Sequence, residues 1–363
     1  MRVIIAGGGT GGHLFPAVAV GEALRRERPR IELLFVGSTA GLEARWMPQS
    51  GLRHELFQVH GLRGHTTGER LRAVAEFARA IAQALRLTRQ FGPDVVLSAG
   101  GYASVPMAVA AIVMRKPLVL MEQNTRPGLA NRMLWRFAKT ICVGFDETAA
   151  FFTAAKTRVT GNPLRASFAN SVSAERTSAD IQILVLGGSS GAHRLNLAVL
   201  DAFKKMAKDV IKVEVIHQTG EADVGLVMAG YRDLGRADTK VLPFIDDVAQ
   251  ALAGADLVVS RSGAVTVAEV ALAGRPAVFV PYPFHRDRQQ ELNARVIERI
   301  GGAVIVRDDE HLGDNLANIV TELISDRPKL EQMGARSRLA GRPDAAACVA
   351  RVCLELGEER AGM

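Results

Sequence analysis

His13 closes the run Gly7-Gly8-Gly9-Thr10-Gly11-Gly12, so a titratable ring, a hydroxyl and a string of backbone N–H groups without side chains fall within seven residues. Such a turn, entered from the apolar segment Val3-Ile4-Ile5-Ala6 and opening a helix, aims amides and the positive end of that helix at an anion. An imidazole beside it can take a proton near neutral pH. A second turn of the same kind, Gly187-Gly188-Ser189-Ser190-Gly191-Ala192-His193, follows Ile183-Leu184-Val185-Leu186. Phosphate recognition and proton transfer are the chemistry these residues suit. For the first turn taken alone, the plainer reading that its glycines only let strand and helix pack closely has equal standing.

Three more clusters sit where strands should end. Gly100-Gly101-Tyr102 follows a strand ending at Ser98, and Glu122-Gln123-Asn124 follows the next one. Strand C-termini of an open parallel sheet line its ligand crevice, which would draw His13, Tyr102, Glu122 and Asn124 together, although each alone could be a loop or capping residue. In the second half, Ser262-Gly263 after Leu257-Val258-Val259 should start a helix. Its first N–H groups suit a diphosphate and Glu269 suits two ribose hydroxyls, the alternative being a capped core helix with a solvated glutamate. Gln289 and Gln290 add neutral amides suited to sugar hydroxyls.

The elements that must hold these residues alternate. Strands are expected at Val3 to Ala6, Ile31 to Val36, Val95 to Ser98 and Leu118 to Met121, with a helix near Ala17 to Arg28. The second half repeats the pattern at Ile183 to Leu186, Val213 to Gln218, Lys240 to Leu242, Leu257 to Ser260 and Ala277 to Val280. Parallel sheets with crossover helices follow, in two Rossmann-like domains spanning 1–162 and 163–339. The polar stretch Thr160 to Ser178 reads as the linker, with the boundary near Asn162, and a helical tail at about 340–363 could pack back on the first domain. The segment Arg63 to Arg89 reads as a basic helix, with Leu71, Val74, Ala78, Ile81 and Leu85 on its apolar side. A solvated basic face is its default role and contact with anionic lipid the alternative.

Composition narrows the classes. The 363 residues suffice for two cores, and three cysteines without C-x-x-C spacing argue against a disulfide framework or zinc knuckle and for a reducing cytosol. A strand beginning at the second residue leaves no room for a signal-peptide core, and no apolar run is long enough to span a bilayer. The net charge of +7 favours anionic partners, but few aromatics and no interleaved basic-aromatic stripe argue against nucleic acid. Gly7, Gly9 and Gly12 satisfy G-x-G-x-x-G, yet the following strand ends in Gly37-Ser38 without the acidic residue a dinucleotide ribose requires, which argues against NAD.

These motifs together resemble the MurG family of peptidoglycan glycosyltransferases. The likeness runs in order through Gly8 to His13, Gly100-Gly101-Tyr102, Glu122-Gln123-Asn124, Gly161-Asn162-Pro163-Leu164-Arg165, Gly187-Gly188-Ser189, Phe244-Ile245-Asp246-Asp247, Arg261 to Glu269 and Asp287 to Gln290. It implies a GT-B architecture, two Rossmann-like domains facing across a cleft. It implies inverting transfer of GlcNAc from UDP-GlcNAc to the C4 hydroxyl of MurNAc in undecaprenyl-pyrophosphoryl-MurNAc-pentapeptide, the lipid I to lipid II step. The resemblance further implies a peripheral place on the cytoplasmic face of the plasma membrane, an anionic membrane surface as partner and contacts with other cell-wall synthesis proteins.

By the same resemblance the donor falls to Thr10, Gly11, Gly12, Asn124, Arg165, Ser189, Ile245, Ala264, Val265, Thr266, Val267, Ala268, Glu269, Gln289 and Gln290. The acceptor falls to Tyr102 and Asn131, with His13 as candidate base and Glu122 as the alternative. The family usually has Gln where this chain has Ser190, and often His where it has Met121. No Asp-x-Asp motif is present, so no obligatory metal or other cofactor is expected. A sugar-nucleotide epimerase of the same architecture, an NAD-dependent oxidoreductase and a non-catalytic nucleotide-sugar binding module are the competing readings.

Overall fold

The computed structural model describes residues 1–59, 67–171, 180–188, 191–206, 213–285 and 287–361. The chain forms two units, Met1–Arg165 with Asp344–Met363, and Ala166–Pro343.

In the first unit seven strands pair in parallel: β1 (Arg2–Ala6), β2 (Glu32–Ser38), β3 (His54–Phe57), β4 (Val95–Ser98), β5 (Leu118–Glu122), β6 (Thr140–Val143) and β7 (Thr157–Val159). Their order is β3-β2-β1-β4-β5-β6-β7, so the winding reverses between β1 and β4. Alternation along the strands builds two cores. Val3, Ile5, Leu33, Phe35, Val95 and Leu97 face the helix Gly11–Glu27, whereas Ile4, Leu34, Val96, Leu118 and Leu120 face the helix Val105–Val113. The C-terminal helix Ala345–Ala361 closes the first of these cores with Val349, Ala350 and Cys353, which ties the chain's last segment to its first strands.

The second unit has six parallel strands, β8 (Ile181–Leu186), β9 (Val213–Gln218), β10 (Lys240–Leu242), β11 (Leu257–Ser260), β12 (Ala277–Phe279) and β13 (Ala303–Ile305), in the order β10-β9-β8-β11-β12-β13. The winding reverses between β8 and β11. Ligand crevices of open parallel sheets form at such switch points, beyond the strand C-termini. Gly7 to Gly12 leave β1 and Gly100-Gly101 leave β4; Gly187-Gly188 leave β8 and Ser262-Gly263 leave β11.

Some elements differ from the sequence reading. The first helix begins at Gly11 rather than near Ala17, because Pro16 in its second turn forfeits only one early backbone bond. The short strands β3, β6, β7 and β13 carry too little pattern to stand out. Asn162 is no linker residue: it is buried and donates through Nδ2 to the Gln123 carbonyl at 3.0 Å, and the division between units falls after Arg165. The basic helix is Thr67–Phe91, and Arg63 lies outside the described residues. Its buried side is Ala73, Ala80, Ala84 and Thr88, small residues that admit close packing on Val105–Val113. Val74 and Ala78, expected inward, are exposed.

Behind β9 the second unit buries a polar chain. His217 is fully buried, with Nδ1 3.1 Å from the Tyr231 hydroxyl and Nε2 3.1 Å from Asn196 Oδ1. Asn196 Nδ2 donates to Asp223 Oδ2 at 2.7 Å, and Asp223 Oδ1 lies 2.9 Å from His193 Nδ1. Burial lowers the His217 pKa from 6.5 to about 3. Between those values the unfolded chain binds a proton that the native state refuses, so stability is complete above pH 6.5 and is lost as pH falls toward 3. Thermal unfolding followed from pH 7 to 4 should show the midpoint dropping, with a flatter slope in His217→Gln; equal slopes would reject this coupling.

Candidate functional site

The first unit gathers its chemistry around the turns after β1, β4 and β5. His13 is the third residue of its helix, and Nδ1 lies 3.1 Å from the Ala99 carbonyl. Only the tautomer carrying hydrogen on Nδ1 can donate to that oxygen, which leaves the Nε2 lone pair as a proton acceptor. Burial lowers the His13 pKa, with the Glu122 and Glu43 carboxylates and the Ala99 bond acting the other way, so the ring is neutral at pH 7. The second glycine pair exists to admit this ring. Gly101 has φ of +78°, and a Cβ there would come within 2.4 Å of the Gly8 carbonyl and 3.1 Å of His13 Cδ2.

Glu122 stands differently from the expectation of a second base. It is 3% exposed, and its carboxylate is saturated. Oε1 accepts from the Asn124 amide at 3.0 Å and Asn124 Nδ2 at 3.2 Å; Oε2 accepts from the Gly128 amide at 2.8 Å and Asn131 Nδ2 at 2.9 Å. Four donors hold the group as a structural anchor for the loop that follows β5. Asn131 is buried and also donates to the Met121 carbonyl at 2.8 Å, so its amide nitrogen serves the fold.

Around them, Tyr102 lays its ring against Gly9, with Cε1 3.1 Å from where a Cβ would stand. Thr10 is exposed, and its carbonyl accepts from the His13 and Leu14 amides, which starts the helix at Gly11 and Gly12. The Arg165 guanidinium sits 4.9 Å above the Phe15 ring, which places a cation on the helix that carries His13. Sequence reasoning passed over Glu43, which is 0% exposed and bonds into the first glycine turn.

The second unit assembles another group at β8, β10, β11 and β12. The Gly188 amide donates to Gln218 Oε1 at 3.0 Å, and Gln218 Nε2 donates to the carbonyls of Gly188 and Pro243, each at 3.0 Å. Gln218, also missed from sequence, thereby staples the glycine turn to the segment carrying Ile245, which is buried. Its signal was only that it ends β9, one strand from the turn. Ser189 lies outside the described residues.

The helix Ala264–Ala273 receives no side-chain cap from Gly263 and has no acidic residue in its first turn, so no carboxylate of its own first turn offsets the positive end of its dipole. Val265, Thr266, Ala268 and Glu269 are partly exposed, whereas Ala264 and Val267 are buried. The Val267 amide is spent on the Gly263 carbonyl at 2.9 Å, so among the candidates its N–H is committed to the helix. Gln289 and Gln290 start the helix Gln289–Glu298, and Gln290 Oε1 accepts from the Tyr282 amide at 2.9 Å, so the other end of that amide is a donor. Arg288 before them holds φ of +52°, a left-handed conformation that costs energy in a residue other than glycine and marks a constrained turn.

Comparison with known proteins adds a second line of observation. Residues 3–143 match the glycosyltransferase family 28 N-terminal domain, and residues 182–349 match the glycosyltransferase family 28 C-terminal domain. A UDP-N-acetylglucosamine–N-acetylmuramyl-(pentapeptide) pyrophosphoryl-undecaprenol N-acetylglucosamine transferase of Syntrophotalea carbinolica is 40% identical over 353 residues, 97% of this chain and 98% of its own. The crystal structure of MurG from Acinetobacter baumannii superposes with a TM-score of 0.78 at 31% identity, covering 98% of this chain and 99% of that one. A Listeria monocytogenes protein described as a UDP-N-acetylglucosamine 2-epimerase superposes with a TM-score of 0.69 at 15% identity, over 99% of this chain and 96% of its own. That last likeness is one of fold alone.

Proposed function

Because the chain belongs to the MurG family of glycosyltransferases, we propose that it moves GlcNAc from UDP-GlcNAc to the C4 hydroxyl of MurNAc in undecaprenyl-pyrophosphoryl-MurNAc-pentapeptide, with inversion at the sugar's C1. The observation that carries this reading is the near-full-length identity to transferases of that name, joined to a glycine turn at the switch point of each sheet.

In this reading His13 Nε2 takes the proton of the acceptor hydroxyl as its oxygen attacks C1. The C1–O bond to the diphosphate breaks, and UDP leaves with the electron pair. In the second unit the helix beginning at Ala264, with Ser189, is the candidate for the diphosphate charge, and in the first unit Arg165, Thr10, Gly11 and Gly12 are the donor-side candidates. Ile245 faces the uracil, Glu269 the ribose, and Gln289 with Gln290 the GlcNAc hydroxyls. Asn124 acts on the donor and Tyr102 on the acceptor. Glu122 and Asn131 hold the loop that carries Asn124. An epimerase shares the fold but would need no lipid-linked acceptor.

The sequence has no Asp-x-Asp motif, and helix dipoles and cations are the groups proposed to meet the anionic leaving group. We therefore place no obligatory metal in the reaction. Transfer in excess EDTA should stay within about twofold of the untreated rate; abolition by EDTA with recovery on adding magnesium would contradict this.

An acceptor with a lipid tail supports a peripheral position at a membrane surface. No helix among the described residues is long and apolar enough to cross one. The outward face of Thr67–Phe91, with Val74 61% exposed beside exposed Arg79, Arg86 and Arg89, supplies an apolar and basic contact for anionic headgroups. Sedimentation with vesicles that is indifferent to their anionic lipid content would remove the electrostatic part of this contact. The reading as a whole is tested by incubating the protein with labelled UDP-GlcNAc and a short-tailed pyrophosphoryl-MurNAc-pentapeptide. Acceptor-dependent label transfer with UDP release is expected; donor binding without transfer would reduce the chain to a binding module.

A further inference from the structure

The first glycine turn already contains an anion. Glu43, fully buried on the short helix Leu42–Trp46, accepts from the Gly9 amide through Oε1 at 2.9 Å and Oε2 at 2.8 Å, and from the Ser38 amide through Oε1 at 2.8 Å. The backbone closes around it so tightly that a Cβ at Gly8 would lie 2.2 Å from Oε1 and one at Gly41 2.3 Å from Oε2. A pocket of amides wrapped around two carboxylate oxygens is what a glycine-rich turn elsewhere offers a phosphate.

Resting on the transferase reading above, we propose that Glu43 is the resident anion of this turn, a positioning residue that bars substrate phosphate from the Gly9 pocket and fixes the backbone from which His13 projects. Three observations connect the carboxylate to the base. Gly9 precedes Thr10, whose carbonyl receives the His13 amide at 3.1 Å. Gly8, which encloses the carboxylate, presents its carbonyl against Gly101, and Gly101 borders the His13 ring. Ser38 ends β2, so the same carboxylate also pins the turn to the neighbouring strand. A second anion in the Gly9 pocket would meet an uncompensated like charge at contact distance, so a substrate phosphate that approaches this turn is left the Thr10, Gly11 and Gly12 side of it and not the Gly9 amide.

The test compares the full-length protein with Glu43→Ala, assayed with and without sodium formate, whose carboxylate fits the vacated pocket. In Glu43→Ala we expect kcat to fall at least tenfold with donor KM within about threefold, because the proposed uracil, ribose and sugar contacts lie in the second unit and only the first unit's share of the donor contacts borders the Glu43 pocket. Formate should restore a large part of kcat and should raise the melting temperature of the variant but not of the wild type. Activity within twofold of wild type, or a loss that formate neither repairs nor answers in the melting curve, would overturn the proposal. Should Glu43→Ala unfold, Glu43→Asp replaces it, since the shortened side chain keeps the charge but cannot reach both amides. A lowered kcat at unchanged donor KM supports the role and a wild-type kcat overturns it. Failure of the transferase reading is seen separately, as absence of transfer by the wild type, and the formate melting comparison needs no substrate.

Discussion

Replacing His13 with alanine is expected to lower kcat by about 10²–10⁴-fold, the range that a positioned general base contributes. The geometry gives the reason for choosing this residue. Its Nδ1 is committed to the Ala99 carbonyl, which fixes the tautomer and holds the ring, and Gly100 and Gly101 clear the space around it. Donor KM should change little, since the proposed uracil, ribose and sugar contacts lie in the other unit. The pH profile provides an independent mark. With burial lowering its pKa from 6.5, His13 is deprotonated and competent at neutral pH, and kcat/KM should fall on the acid side only below about 6.5. In His13→Ala the residual rate should lose that acid limb. A variant with near-normal turnover, or one that keeps the limb, would transfer the role to another group.

What the sequence disclosed here was what is local in the chain. A glycine turn between an apolar strand and a helix is written in consecutive residues, so both turns are legible in the sequence, and β4, β9, β10 and β11 have the bounds that it predicts, whereas the strand order that makes each turn a switch point is not local. What it withheld was set by contacts between distant segments. Glu43 reads as one more helical glutamate until the fold brings it to Gly9, 34 positions away. Gln218 likewise ends an ordinary strand, and only the sheet order puts it against Gly188. Val74 shows the same limit in the other direction: helical spacing identified a stripe but not which stripe faces inward, because the alanines that allow close packing carry little hydrophobic signal of their own. The side-chain roles of Glu122 and Asn131 fall between these cases, since their positions were legible from motif and their commitments were not.

The commitment of Glu122 leads to an expected result opposite in kind to that for His13. Glu122→Ala should destabilise the protein by about 3–5 kcal/mol, because two buried backbone amides and two side-chain amides lose their acceptor at once, each at a cost of order 1 kcal/mol or more. Glu122→Gln separates anchor from base more sharply. A glutamine keeps the shape but replaces one oxygen by a donor, which must then face either the Asn124 pair or the Gly128 and Asn131 pair, both of them donors already. As an anchor, the residue therefore predicts that Glu122→Gln lowers the melting temperature along with activity, while the acid limb assigned to His13 persists in the remaining rate. As a base, it would predict an unchanged melting temperature, lost turnover and a vanished limb. Thermal unfolding and a kcat/KM profile measured on the same preparation decide between them. The anchor is the expected answer, since the two carboxylate oxygens already accept four hydrogen bonds from the protein, which leaves no lone pair directed at a substrate hydroxyl.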